Sequence, residues 1–273
     1  MIRMKLFIIV LLLSWWAPSL SAQNKRTEIA NQAFNSSFYT TAVKRYKKAY
    51  SKTKDKEEKN AILFQIAECY RSMNNTRLAE PTYRRLLAVK YEQKQPLVLL
   101  YLADILRYNG KYEQALPFYQ QYAEKAPEDP RGTFGIESCR LAGEITQTPT
   151  RHVIAHEKTI SSRDDDFTPA YSNTAFNEIL FTSNRKGTVG KGKDEWTTKG
   201  FSDLFIAKKD VKGKWTKPIT ADSEELLNTA GNEGSPFFNS RFNTMYFTRC
   251  ATETKRKNRS EEHTSELQSR QVI

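Results

Sequence analysis

Apolar positions in the first half of the chain recur at i, i+3, i+4 and i+7. In "AILFQIAECYRSM", Leu63, Ile66, Ala67 and Tyr70 form one stripe. In "LYLADILRYNG", Leu99, Leu102, Ala103 and Leu106 form its match. Such spacing places the apolar groups on one face of a helix. Asn109-Gly110 predicts a left-handed stop for the second of these helices. A further helix follows each stripe, and three such second helices align without gaps: "YTTAVKRYKKA" from Tyr39, "TRLAEPTYRRL" from Thr76 and "YEQALPFYQQY" from Tyr112. They share Ala42, Ala79 and Ala115, spaced 37 and 36 residues apart. Tyr46, Tyr83 and Tyr119 stand four residues further on, and Pro81 and Pro117 two residues after their alanines. A unit of this period is a helical hairpin that buries its apolar face only by stacking on its neighbours. The alanines are expected where two helices cross closely and the tyrosines between one hairpin and the next. The run "GTFGIESCRLAGEI" predicts one more helix, a cap over the last open face.

After Thr148-Pro149 the helical period gives way to alternation. "HVIAHEK" alternates and predicts a strand. Two longer stretches are copies of each other: "DFTPAYSNTAFNEILFTSNR" from Asp166 and "NEGSPFFNSRFNTMYFTRC" from Asn232, offset by 66 or 67 residues. Pro169 matches Pro236, Tyr171 matches Phe238, and Phe181-Thr182 matches Phe247-Thr248. Between the copies, "SDLFIAKKD" and "GKWTKP" predict two more short strands.

The two ends have a different character. Arg3 and Lys5 precede the apolar run Leu6 to Trp16, and "APSLSAQ" offers a cleavage point just before Gln23. That is the pattern of a secretory signal peptide, and the run is short for a membrane anchor. "RSEEHTSELQS", from Arg259, resembles the in-frame translation of a common sequencing adapter. Residues 259–273 are therefore read as foreign to the fold, and the natural protein is expected to continue beyond Asn258. The formal net charge is +12; without the leader (+2) and the tail (−1) about +11 remains. Strong basicity favours anionic partners. Export argues against nucleic acid and for envelope polymers or lipid headgroups. The cluster Lys44, Arg45, Lys47, Lys48, Lys52, Lys54 and Lys56 is read as a solvated basic face. Three cysteines in a chain of this length do not make a disulfide framework.

The amino half, over about Lys25 to Ala142, resembles the tetratricopeptide repeat. Ala67 and Ala103 hold the small position of the first helix, and Ala42, Ala79 and Ala115 that of the second. Tyr39 and Tyr112 hold the aromatic before it, and Pro127 the closing proline. Thr76 replaces that aromatic in one unit, and extra residues separate the units. By repeat position the resemblance implies a partner-binding groove lined by Phe64, Glu68 and Arg71 and, one unit later, by Leu100, Asp104, Arg107 and Tyr108. Such a groove suits an extended peptide or a partner's helix. Glu68–Arg71 and Asp104–Arg107 are equally well placed to be simple i, i+3 ion pairs. The carboxyl half, over about Arg151 to Cys250, resembles the WD40-like β-propeller repeat of TolB-type proteins, in "TPAYSN", "ILFTSNR", "DLF", "SPFFNS" and "MYFTR". One blade and the start of a second are expected, a truncated propeller of low stability by itself.

The expected organisation is thus multidomain, α then β: a signal peptide over 1–22, a tetratricopeptide-like helical-hairpin solenoid over 23–147 (about three hairpins plus a capping helix), a truncated β-propeller over 148–258, and the tail 259–273. That order resembles the amino part of OmpA-family envelope proteins associated with type IX secretion and gliding. The resemblance implies a non-catalytic periplasmic scaffold with protein partners and an indirect link to the outer membrane. Peptidoglycan would be bound only through an OmpA-type carboxyl-terminal domain that is not among these residues. Two rivals are the amino part of a prolyl-oligopeptidase-like secreted peptidase and a glycan-uptake lipoprotein, the latter disfavoured by the lack of a lipid-attachment Cys.

No residue set resembles a reaction centre, and no catalytic residue, metal or cofactor is expected. His152 and His156 fall in the alternating segment and lack further ligands. Asp164, Asp165 and Asp166 read as an acidic turn before a strand. "GTVGKGK" lacks the strand–loop–helix setting and final Ser or Thr of a phosphate loop, and "EGSPF" lacks the second glycine of a nucleophile elbow.

Overall fold

The computed structural model describes residues 18–148, 150–221, 227–250 and 270–272. The chain divides into two compact units, Met1–Arg151 and His152–Ile273. Most of the expected leader and nearly all of the tail lie outside the described residues.

The first unit is a seven-helix solenoid like that of tetratricopeptide repeats: α1 (Pro18–Asn35), α2 (Tyr39–Lys52), α3 (Lys56–Ser72), α4 (Thr76–Ala88), α5 (Leu97–Tyr108), α6 (Tyr112–Lys125) and α7 (Arg131–Gln147). Helices α1–α2, α3–α4 and α5–α6 are the three hairpins. Their turns repeat one motif. Ser37, Asn74 and Gly110 take positive φ (59°, 53° and 73°). The next amide closes back on Ala33, Tyr70 and Leu106 carbonyls at 2.8–2.9 Å. This six-to-one bond with a left-handed residue satisfies carbonyls that a helix end leaves open. Asp55 and Asn75 cap α3 and α4 by accepting from Glu57 and Leu78 amides.

Small residues set the crossings. Ala42, Ala79 and Ala115 are fully buried, as are Ala67 and Ala103. Ala30 belongs to the same series, 37 residues before Ala67, and is fully buried too. Tyr46, Tyr83 and Tyr119 are the largest buried side chains of this core. The cap α7 approaches α6 through Gly135, where a Cβ would overlap the Tyr119 ring.

The second unit is antiparallel β structure. Strands β1 (Asp166–Tyr171), β2 (Glu178–Ser183), β3 (Asp203–Lys208) and β4 (Ile219–Thr220) form one sheet in sequence order. Strands β5 (Glu233–Phe238), β6 (Met245–Arg249) and β7 (Arg270–Val272) form another. Leu180 and Leu204 of the first sheet share a core with Met245 and Phe247 of the second. The copies match in detail. Thr168 and Ser235 both have positive φ inside a bulge of the first strand. Phe176 and Phe242 both have positive φ in the hairpin turn. Asn173 donates to Asn177 at 2.8 Å, and Asn239 to Asn243 at 2.7 Å.

Two expectations are corrected. "HVIAHEK" forms no strand; Val153 and Ile154 are almost wholly exposed. Alternation makes a strand only where a sheet edge accepts its backbone, and among the described residues no strand pairs with this segment. "GKWTKP" contributes one isolated bridge, Lys209 to Trp215, and the fourth strand falls instead at Ile219–Thr220. Three residues of the tail pair with β6. That pairing is made by backbone at an open sheet edge, which any extended sequence can supply.

Candidate functional site

The groove residues divide by burial. Phe64 and Leu100 are core residues; Leu100 is sealed, and the Phe64 ring packs on Tyr83, Tyr91 and Tyr101 at centroid distances of 6.2–6.4 Å. Glu68 is also buried. It accepts the Tyr83 hydroxyl and two Arg71 hydrogen bonds, from Nε at 3.0 Å and Nη2 at 2.8 Å. Burial opposes the charge of Arg71, and the Glu68 carboxylate outweighs it, so the guanidinium pKa rises. Burial, reinforced by Glu68, pushes the Tyr83 phenol well above its ordinary value.

This contact is a repeated device. In each hairpin the second-helix tyrosine donates to the residue fifteen positions before it: Tyr46 to Asn31 at 2.6 Å, Tyr83 to Glu68, and Tyr119 to Asp104 at 2.6 Å. The residue three after the acceptor is Phe34, Arg71 and Arg107 in turn. An arginine accompanies the acceptor where it is acidic and is missing where it is neutral. The buried carboxylate of Glu68 needs a cation, whereas the exposed amide of Asn31 carries no charge to balance. The i, i+3 pairing left open by the sequence is therefore present, firmly at Glu68–Arg71 (2.8 Å) and loosely at Asp104–Arg107 (4.0 Å). Arg107 Nε donates to the Tyr119 hydroxyl at 3.0 Å. Asn31 escaped the sequence reading, though its spacing of 37 from Glu68 marks it.

Arg71, Asp104, Arg107 and Tyr108 come together. With Asn74, Thr76 and Ile105 they line a cleft of about 270 Å³ between α3 and α5. Tyr108 is 66% exposed and its hydroxyl accepts from Asn74 Nδ2 at 2.8 Å. The Arg71 guanidinium lies 4.0 Å over the Tyr101 ring. Asn74 sits in the turn and Thr76 at the first position of α4, outside the first-helix positions from which a repeat groove is read. The cleft is lined by residues bearing two guanidinium groups, one carboxylate, one phenol, one amide and one hydroxyl. It can form hydrogen bonds and ion pairs with an extended polar chain.

Elsewhere, Asp165 bridges to Lys199 and Asp166 to Arg185, each at 2.5 Å, so these carboxylates face cations. Among the described residues no cluster of three or more His, Cys, Asp or Glu could hold a metal ion.

A model of the tetratricopeptide repeat matches residues 62–97 and 98–131, two successive units that open within α3 and α5. The solved tetratricopeptide domain of Sgt2 from Aspergillus fumigatus is similar over 49% of this chain and 89% of its own length, with 16% identity and a TM-score of 0.41. No curated protein matches. The amino-terminal region thus carries tetratricopeptide repeats, a scaffold for protein–protein contacts.

Proposed function

We propose that this repeat-bearing chain is a non-catalytic adaptor that holds a protein partner in the cleft between α3 and α5. The observation that carries this reading is the meeting of Arg71 and Arg107, from successive hairpins, in one cleft beside the exposed Tyr108. Guanidinium groups at fixed separation suit an extended segment bearing carboxylates. Exposed tyrosine and arginine are the side chains that most often anchor an interface.

The wider setting in this proposal is a periplasmic assembly of type IX secretion kind, associated with the outer membrane and tied to the cell wall by a separate OmpA-type domain. The leader-like Arg3–Trp16 segment and the order of helical repeats before β repeats support it. The β unit is proposed to be part of a WD40-like propeller. Leu180 on the first sheet is 5% exposed because the second sheet covers it. Its counterpart 66 residues on, Tyr246, is 40% exposed beside Phe237. A further sheet seated on Tyr246 and Phe237 would repeat the packing already made once.

A photo-crosslinking residue placed at Tyr108 in the native host tests the adaptor reading. A defined adduct with an envelope protein is expected, absent when the probe replaces Lys212 in the β unit. Equal adducts at both positions, or none at Tyr108, would refute it.

A further inference from the structure

The second helices of the three hairpins carry a graded charge. Helix α2 has five basic residues and no acidic one, +5. Helix α4 has three arginines against Glu80, +2, and α6 has Lys125 against Glu113 and Glu124, −1. The excess is thus concentrated on one hairpin. The buried face of α2 is Ala42, Val43, Tyr46 and Ala49. Lys44, Arg45, Lys47, Lys48 and Lys52 occupy the opposite face, and Lys54 and Lys56 follow in the turn and at the start of α3; all seven are exposed. Lys44, Lys48 and Lys52 stand at i, i+4 and i+8, a straight line of about 12 Å along the helix.

Among the described residues the nearby carboxylates form no ion pair with this face. Glu58 accepts the Thr53 hydroxyl at 2.6 Å, Glu57 pairs with Lys94 at 2.8 Å, and Asp55 caps α3. Among the described residues none of the seven cations forms an ion pair. Arg45 reaches the Ile29 carbonyl at 3.0 Å, and Lys47 lies over the Tyr70 ring. Like charges this close repel, and with none of the seven ion-paired an external anion would relieve that repulsion.

We propose that the outer face of α2 docks on an anionic lipid bilayer. Five of the seven cations lie along one outward helix face and none of the seven lines the cleft between α3 and α5, so they suit an extended charged surface more than a peptide. Clusters of about four to eight Lys or Arg on a helix bind anionic headgroups in this way. Lysine stems can lie along the interface while their ammonium groups meet phosphates.

The full chain is sedimented with vesicles of phosphatidylcholine alone and with vesicles in which about a third of the lipid is phosphatidylglycerol. The apolar run can bind both, so the ratio between them is the readout. About tenfold or greater preference for anionic vesicles is expected, declining with salt. The quadruple variant Lys44→Gln, Lys47→Gln, Lys48→Gln, Lys52→Gln should lose that preference with an unchanged helical circular-dichroism spectrum. A control removing the same charge from the β unit, Lys191→Gln, Lys212→Gln, Lys214→Gln, Lys217→Gln, should retain it. The milder pair Lys44→Gln, Lys48→Gln gives an intermediate ratio and serves if the quadruple variant misfolds. Equal binding to both vesicles, equal loss in variant and control, or patch-dependent retention of double-stranded DNA without vesicle preference would each overturn the proposal.

Discussion

The Tyr119 hydroxyl donates to Asp104 Oδ1 at 2.6 Å, joining the two helices of the third hairpin. Tyr83–Glu68 and Tyr46–Asn31 make the same link in the other two. Each phenol ties a close helix crossing to a polar group beside the small residue that permits it. The device differs between hairpins only in the charge and depth of the acceptor, so its energetic weight should differ in a foreseeable order.

Tyr→Phe substitutions read that order. Tyr46→Phe and Tyr119→Phe should each cost about 1 kcal/mol, the usual net value of a hydrogen bond. Tyr83→Phe takes a donor from buried Glu68 and should cost more, about 2–3 kcal/mol. Urea unfolding monitored by helical circular dichroism checks this. A Tyr83→Phe protein as stable as Tyr46→Phe would contradict the order.

The two cleft arginines should separate in the same way. Sequence alone treats Arg71 and Arg107 as equivalent docking groups. Arg71→Ala strands Glu68 without its cation and should cost about 2–3 kcal/mol, below a fully buried pair because the guanidinium reaches solvent. Arg107→Ala should cost under about 1 kcal/mol. Comparable losses for both would mean that Glu68 does not depend on Arg71.

Stability should fall at both pH extremes, in different units. The Asp166 carboxyl is held below its ordinary value: burial opposes ionisation, but Ser183, Arg185 and Ser162 outweigh it. A depressed carboxylate stabilises the folded state above the unfolded pKa, about 4, and that contribution is lost as pH falls through the lower folded value. Burial raises Tyr46, Tyr83 and Tyr119 instead. Their contribution is intact below the unfolded phenol pKa, about 10, and is lost as pH rises beyond it. Asp166→Asn should flatten the acid limb of the β signal, and the triple Tyr→Phe variant the alkaline limb of the helical signal. Limbs unchanged by these substitutions would contradict the assignment.

Gly135→Ala tests the cap. A methyl group there meets the Tyr119 ring, and the overpacking should cost about 1–3 kcal/mol. Gly143→Ala, on the same helix with open space around it, should be neutral or mildly stabilising. The pair is compared by thermal melting; equal effects would mean that α7 does not rest on Tyr119.

The solenoid was legible because its crossings admit only small residues, and Ala42, Ala79 and Ala115 recur at a fixed period with a tyrosine behind each. Ala30 and Asn31 were not, because the first helix of the first hairpin lacks the apolar stripe of α3 and α5. Phe64 and Leu100 hold first-helix groove positions, yet the aromatic stack with Tyr91 and Tyr101 and the helix neighbours draw them inward. Local spacing places a residue on a helix face; burial depends on what the next unit puts against that face. The β copies were legible at Pro169–Pro236 and Phe181–Phe247. "HVIAHEK" misled because alternation describes half a strand pair, and the other half is a partner edge elsewhere in the chain.

The adaptor claim is met most directly by co-purification from the native host using the full chain carrying Arg107→Ala and Tyr108→Ala, two exposed cleft residues that bear little of the stability. Partner recovery should drop about tenfold or more relative to the parent chain, with the melting temperature within a few degrees. Undiminished recovery at equal expression would contradict the claim that the cleft between α3 and α5 holds the partner.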